Sequence, residues 1–148
     1  MNEARITAEL LHFLRTKTRG LIIKHADQST IGIPDISITC GHETLWLEVK
    51  LIKYKRVKPM ELRKIVGFPG PQARTVSLLD FHGSGCGYAI FFTNGEEWHL
   101  YLQDGVEMAN LCNQNRTITP GKDMLYSKSF EQVWDWIIKR RKFKEESL

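Results

Sequence analysis

Cysteine is scarce in this chain. Cys40, Cys86 and Cys112 stand far apart and no Cys-x-x-Cys occurs, which excludes a disulfide framework and a zinc site built on thiolates. There is no long apolar run of the kind that crosses a membrane, and the opening residues lack the basic-then-apolar profile of a signal peptide, so we expect a protein that remains where it is made, inside the cell. Linkers, repeats and low-complexity stretches are also lacking. With 148 residues, 42% of them hydrophobic, the chain suits one globular domain, residues 1–148, with one core. A strong excess of one charge is missing too: 21 bases stand against 17 acids, and the pI is near 9.0, which permits nucleic acid as a partner without requiring it. The distribution is more telling. From Lys50 to Lys64 there are seven bases (Lys50, Lys53, Lys55, Arg56, Lys58, Arg63 and Lys64) against one acid, Glu61.

What the chain does contain is a hairpin with charge inside it. Ile36 and Ile38 alternate with Asp35, Ser37 and Thr39, and Leu45, Leu47 and Val49 alternate with Trp46, Glu48 and Lys50, the period of two of half-buried strands. Gly41-His42-Glu43 supplies the turn. Side chains two apart share a face, so Glu48 and Lys50 project together and Asp35 points at the same space from the neighbouring strand. A carboxylate and an ammonium are costly out of water unless paired or coordinated. A divalent cation on Asp35 and Glu48 compensates, since magnesium prefers hard oxygen ligands. Lys50 then positions or deprotonates the attacking water, or stabilises negative charge on a phosphodiester under attack. The bland alternative is a solvated strand face following a Pro-Asp turn.

Gly32-Ile33-Pro34-Asp35 followed by Glu48-Val49-Lys50 resembles the two halves of the PD-(D/E)xK nuclease motif, each at the strand position that superfamily uses. The nearest look-alikes are the virus-type replication-repair nuclease domains and the archaeal Holliday-junction resolvases. The resemblance implies a restriction-endonuclease-like α/β core, a mixed central sheet flanked by helices, with Mg2+ (Mn2+ as substitute) held by Asp35, Glu48 and the Val49 carbonyl, and Lys50 as catalytic base or electrostatic stabiliser. Glu3-Ala4-Arg5-Ile6 looks like the Glu-x-x-Ile opening of the replication-repair group, which implies Glu3 near the metal, with Glu9 in reserve. Gln72, at the start of the helix after Glu-x-Lys, is implied to orient the attacking water or a phosphate.

The remaining elements are read from periodicity and turn chemistry. Ile6, Leu10, Phe13 and Leu14 predict a helix from Glu3 to Lys17, ending near Gly20. Leu21 to Ile23 reads as a strand, and the loop after it holds His25 and Gln28, ordinary loop residues unless they touch phosphate. Lys53, Tyr54, Lys55, Arg56 and Lys58 interleave base and aromatic after the catalytic lysine, which suits phosphate contact with Tyr54 stacking on an exposed base. Met60 to Val66 is a short helix, and Pro71 opens another that runs to about His82 with Val76, Leu79 and Leu78 inward. Asn94-Gly95 joins strands Tyr88–Thr93 and Trp98–Leu102, whose aromatics build core; His99 reads as structural. Residues 104 to 128 carry no assignable work. Ser129 and Gln132 form a capping box for a last helix with Phe130, Val133, Trp134, Ile137 and Ile138 inward, and its basic end is either a second DNA contact or a solvated tail.

These readings converge on a metal-dependent endodeoxyribonuclease acting on DNA, selective for branched or junction structure and working as a homodimer in DNA repair. A catalytically silent nucleic-acid-binding protein on the same fold, or an assembly subunit with a coincidental motif, are the other classes.

Overall fold

The computed structural model describes residues 1–25, 32–83, 85–122, 126–127 and 129–141. The elements are α1 (Glu3–Lys17), β1 (Leu21–Lys24), β2 (Ile36–Cys40), β3 (Glu43–Lys53), β4 (Met60–Glu61), α2 (Leu62–Val66), α3 (Pro71–Phe81), β5 (Cys86–Thr93), β6 (Trp98–Asp104), α4 (Gly105–Asn113), β7 (Thr117–Ile118), β8 (Tyr126–Ser127) and α5 (Phe130–Arg141). A six-stranded sheet has the order β1-β2-β3-β5-β6-β8, and β4 pairs with β7 apart from it. Among the described strands only β3 and β5 run parallel; the other pairs are antiparallel, so the sheet is mixed and flanked by helices, as expected.

The alternation along β3 decides which helices lie where. Leu45, Leu47 and Val49 are fully buried against Ile6, Leu10 and Leu14 of α1 and Val133 and Ile137 of α5. Trp46 and Ile52 pack on the other face, with Leu62 and Val66 of α2, Ala73 and Val76 of α3, and Met108 and Cys112 of α4. Glu48 and Lys50 lie on that second face, between two apolar neighbours of their own strand. A charged pair is thus set into a hydrophobic layer.

Several sequence expectations change here. Residues 105–113 form α4, whose Met108 and Cys112 are buried one turn apart, a helix hidden by a glycine start and a polar surround. Leu78 does not face inward; it is 44% exposed, because α3 buries only Ala73 and Val76. The aromatics of the second hairpin do build core: Tyr88, Phe91 and Phe92 are enclosed, and Trp98 and Tyr101 pack against the two cores. Arg140 is no free DNA contact. Its guanidinium pairs with Asp80 at 2.6 Å and with Asp104, tying α5 to α3 and the end of β6; the basic residues from Lys142 onward lie outside the described set. Among the described residues no helix is long and apolar enough to cross a membrane.

Candidate active site

The register of the hairpin builds the site. Ile36 lies opposite Leu47, so Asp35, the residue before β2, falls opposite Glu48. The two are locked by reciprocal bonds: the Asp35 N–H donates to Glu48 Oε1 at 3.2 Å, and the Val49 N–H donates to Asp35 Oδ2 at 2.9 Å. Gly32 is placed by packing, since with φ at +92° a Cβ there would lie 2.7 Å from Thr75 Oγ1 of α3. Only glycine lets the strand entry settle on that helix, which gives the Gly-x-Pro-Asp spacing a physical reason.

Beyond Glu48 the strand β2 has no further residues to pair with β3, and this edge is completed by acids instead. The Leu51 N–H donates to Glu3 Oε2 at 3.0 Å, two residues along from the Val49 bond to Asp35. N–H and C=O of one strand residue leave on the same side, so the Val49 carbonyl points from this edge as well. Glu3 is therefore the helical acid brought to the site. Glu9 pairs with Arg5 at 3.8 Å.

Glu48 is 2% exposed, and burial, then the charge of Asp35 and its hydrogen bond with it, push the Glu48 carboxyl up to about 8; the opposing pull of Lys50 is weaker. Lys50 Nζ is 3.4 Å from Glu48 Oε2 and donates to Gln72 Oε1 at 2.9 Å. Gln72 belongs to the first turn of α3. Asp35, Glu48, Lys50, Gln72 and Glu3 thus surround one edge of β3. His25 joins them at the margin: its ring nitrogen bonds Ser37 Oγ at 2.7 Å and the ring stacks on Trp46 at 4.9 Å. Gln28 lies outside the described residues.

A divalent cation fits this donor set. Asp35, Glu48 and the Val49 carbonyl are hard oxygens at one edge, and two adjoining carboxylates of which one holds its proton near neutrality are short of positive charge. Among the described residues no group of three or more His, Cys, Asp or Glu side chains converges on one point. His99 has Glu97 at 3.7 Å.

The basic segment is divided. Lys53, Lys55, Arg56 and Lys58 are exposed, as phosphate contacts must be, but Tyr54 is only 7% exposed and packs in the core of the second face. Its ring is not free to stack on a base from solvent. Tyr54 stands two residues beyond Ile52, so the alternation of β3 carries its ring onto that same face. Sequence reasoning also missed that Lys53, Tyr54 and Lys55 meet Met1, Thr93, Asn94, Gly95 and Trp98 around a cavity of about 450 Å³, an encounter of segments far apart in the chain.

No family profile and no curated protein matches the chain. Among solved structures it is similar to Hjc, a Holliday junction resolvase from the archaeal hyperthermophile Archaeoglobus fulgidus, at 18% identity and a TM-score of 0.51, over 88% of this chain and 98% of that one. The fold of the chain is the mixed α/β fold of that nuclease.

Proposed function

We propose that this chain is a divalent-metal-dependent DNA endonuclease that selects branched DNA. The observation carrying the reading is the pairing of Asp35 with the buried Glu48, with Lys50 on the same face, in a fold shared with a Holliday junction resolvase. Asp35, Glu48 and the Val49 carbonyl would hold Mg2+ or Mn2+. Bound there, the cation would supply Lewis-acid activation of water and neutralise charge on the scissile phosphate.

The chain's own residues then have separable parts. Lys50 presents its ammonium on the reacting face, held by Gln72 and Glu48, where it stabilises the negative charge that grows on the phosphate oxygens as water attacks. Gln72 fixes the direction of that ammonium. Glu3 extends the acidic edge toward the attacking side, positioned by the Leu51 N–H. Lys53, Lys55, Arg56 and Lys58 take flanking phosphates, which orients DNA without reading sequence. The described elements offer little beyond the core for placing side chains against base edges, which favours recognition of shape. Paired cuts in a junction need two such sites, and a two-fold homodimer supplies them.

The test is a titration with Mg2+ and Mn2+ followed by incubation with labelled four-way junctions, flaps and linear duplexes, with the mass of the particle measured in parallel. Metal-dependent cleavage of branched substrates, lost in Asp35→Ala, is expected. DNA binding without cleavage in either metal would point instead to a silent binding protein on this fold, and cutting of linear duplex at one defined sequence would overturn the shape reading.

A further inference from the structure

The cavity lined by Lys53, Tyr54, Lys55, Thr93, Asn94 and Trp98 is separate from the carboxylate site. Lys53 lies three residues beyond Lys50 on β3, roughly 10 Å along the strand, and the opposite wall is the turn between β5 and β6. Its volume, about 450 Å³, is in the range of small-ligand sites. The chemistry of the wall is mixed in a particular way. Two ammonium groups stand at exposed positions, two aromatic side chains contribute the apolar surface, and the Asn94 side chain adds polar atoms beside Gly95. Lys53 and Lys55 are both exposed, so their ammonium groups can reach a phosphate at the mouth of this cavity.

We propose that this cavity takes one unpaired nucleotide of the DNA strand being cut, with the base against Trp98 and the phosphate on Lys53 and Lys55. A paired base cannot leave its stack to enter it without an energetic cost, whereas a nucleotide at a branch point is already free to do so. The pocket thereby gives the endonuclease reading, on which it rests, a local means of choosing distorted over regular DNA. Stacking on an aromatic ring tolerates any base, so the selection is for an unpaired state and not for a sequence.

Binding is read without metal, in EDTA, so that hydrolysis plays no part. The probes are a short oligothymidylate and a fully paired duplex of matched length, each titrated while tryptophan fluorescence and anisotropy are followed. Oligothymidylate is expected to quench the wild-type protein, and the quench to disappear in Trp98→Phe, which keeps the other tryptophans and an aromatic core contact. Lys53→Gln with Lys55→Gln is expected to weaken oligothymidylate binding about tenfold or more and duplex binding by clearly less. A quench that survives in Trp98→Phe, or equal weakening on both probes, would overturn the pocket. Failure of the endonuclease reading is distinct: it is absence of cleavage of every substrate in Mg2+ and Mn2+, whatever the quench does.

Discussion

Two clusters in this protein have the same charge inventory, two carboxylates and one base, and opposite outcomes. In one, Arg140 closes on both Asp80 and Asp104, and the remaining capacity of Asp80 is taken by the N–H groups of Cys86 at 3.3 Å and Val106 at 2.9 Å. Burial still pushes the Asp104 carboxyl up, but Arg140 pulls against it. In the other, Lys50 reaches Glu48 only at 3.4 Å and turns its best bond to Gln72, while Asp35 and Glu48 press on each other. A planar guanidinium can serve two carboxylates at once; a single ammonium shared with an amide cannot. In the first cluster each carboxylate meets the guanidinium, and in the second the one ammonium is divided between a carboxylate and an amide. That difference separates a structural clamp from the site we propose to hold a cation.

The sharpest way to break the comparison is to remove one acid or base from each cluster. Asp35→Ala is expected to lower cleavage by ~10²–10³-fold or more and to abolish the rise in melting temperature that metal gives the wild type through linkage. The same change should leave the metal-free protein folded or slightly more stable, since it relieves Glu48. Arg140→Ala should do the reverse, costing roughly 1–3 kcal/mol of stability because it strands the largely enclosed Asp80 carboxylate, as measured by urea unfolding. A destabilised Asp35→Ala beside an indifferent Arg140→Ala would erase the distinction.

Acidity sharpens it next. The Glu48 carboxyl is raised in the folded state from its ordinary value of 4.5 to about 8, so between those values the native protein binds the extra proton. Its contribution to the stability of the metal-free protein is then fully present below about 4.5 and is lost as pH rises through 8. Unfolding free energy measured in EDTA across that window should fall, and in Glu48→Gln the decline should flatten. Asp104, raised more weakly, adds a slope of the same sign.

Gln72→Ala should act within the site without dismantling it. It removes the acceptor that directs Lys50 and leaves Asp35, Glu48 and Val49 in place, so turnover should fall about 10-fold, the lower range for a supporting partner, while metal affinity holds. An equal fall in metal affinity would mean that Gln72 orders the acids and not the lysine.

The contrast between the clusters extends to their legibility in the sequence. Asp35, Glu48 and Lys50 were legible because strand alternation is local and a one-residue slip would have turned them all away from the site. The Glu3 contact spans 48 positions; the helical wheel puts Glu3 in line with the apolar stripe, three residues before Ile6, but its place near the site came from the resemblance to a family opening. The Arg140 clamp joins residues 60 apart, and a run of bases at a helix end reads the same whether it meets water, DNA or two aspartates. Tyr54 was misread for a different reason: it continues the inward face of Trp46 and Ile52, but the bases Lys53, Lys55 and Arg56 around it made the stretch read as exposed. α4 escaped notice because its inward stripe, Met108 and Cys112, is too short to stand out against Asn110, Asn113 and Gln114.

The smallest effect belongs to charges outside both clusters. Arg56 and Lys58 are exposed in the segment after β3, where a bound duplex would lie beside the catalytic edge. If each neutralises one phosphate, Arg56→Gln with Lys58→Gln should lower the magnitude of the log–log salt slope on duplex by roughly 0.9 for every phosphate no longer neutralised, about equally for any sequence. The slope isolates counterion release, so it responds to phosphate neutralisation and not to the geometry around Asp35 and Glu48. Turnover at saturating DNA should change little, because these side chains act equally on bound substrate and transition state. A slope that stays at the wild-type value would move the DNA track away from this segment, while leaving the proposal for the two-acid, one-lysine site as it stands.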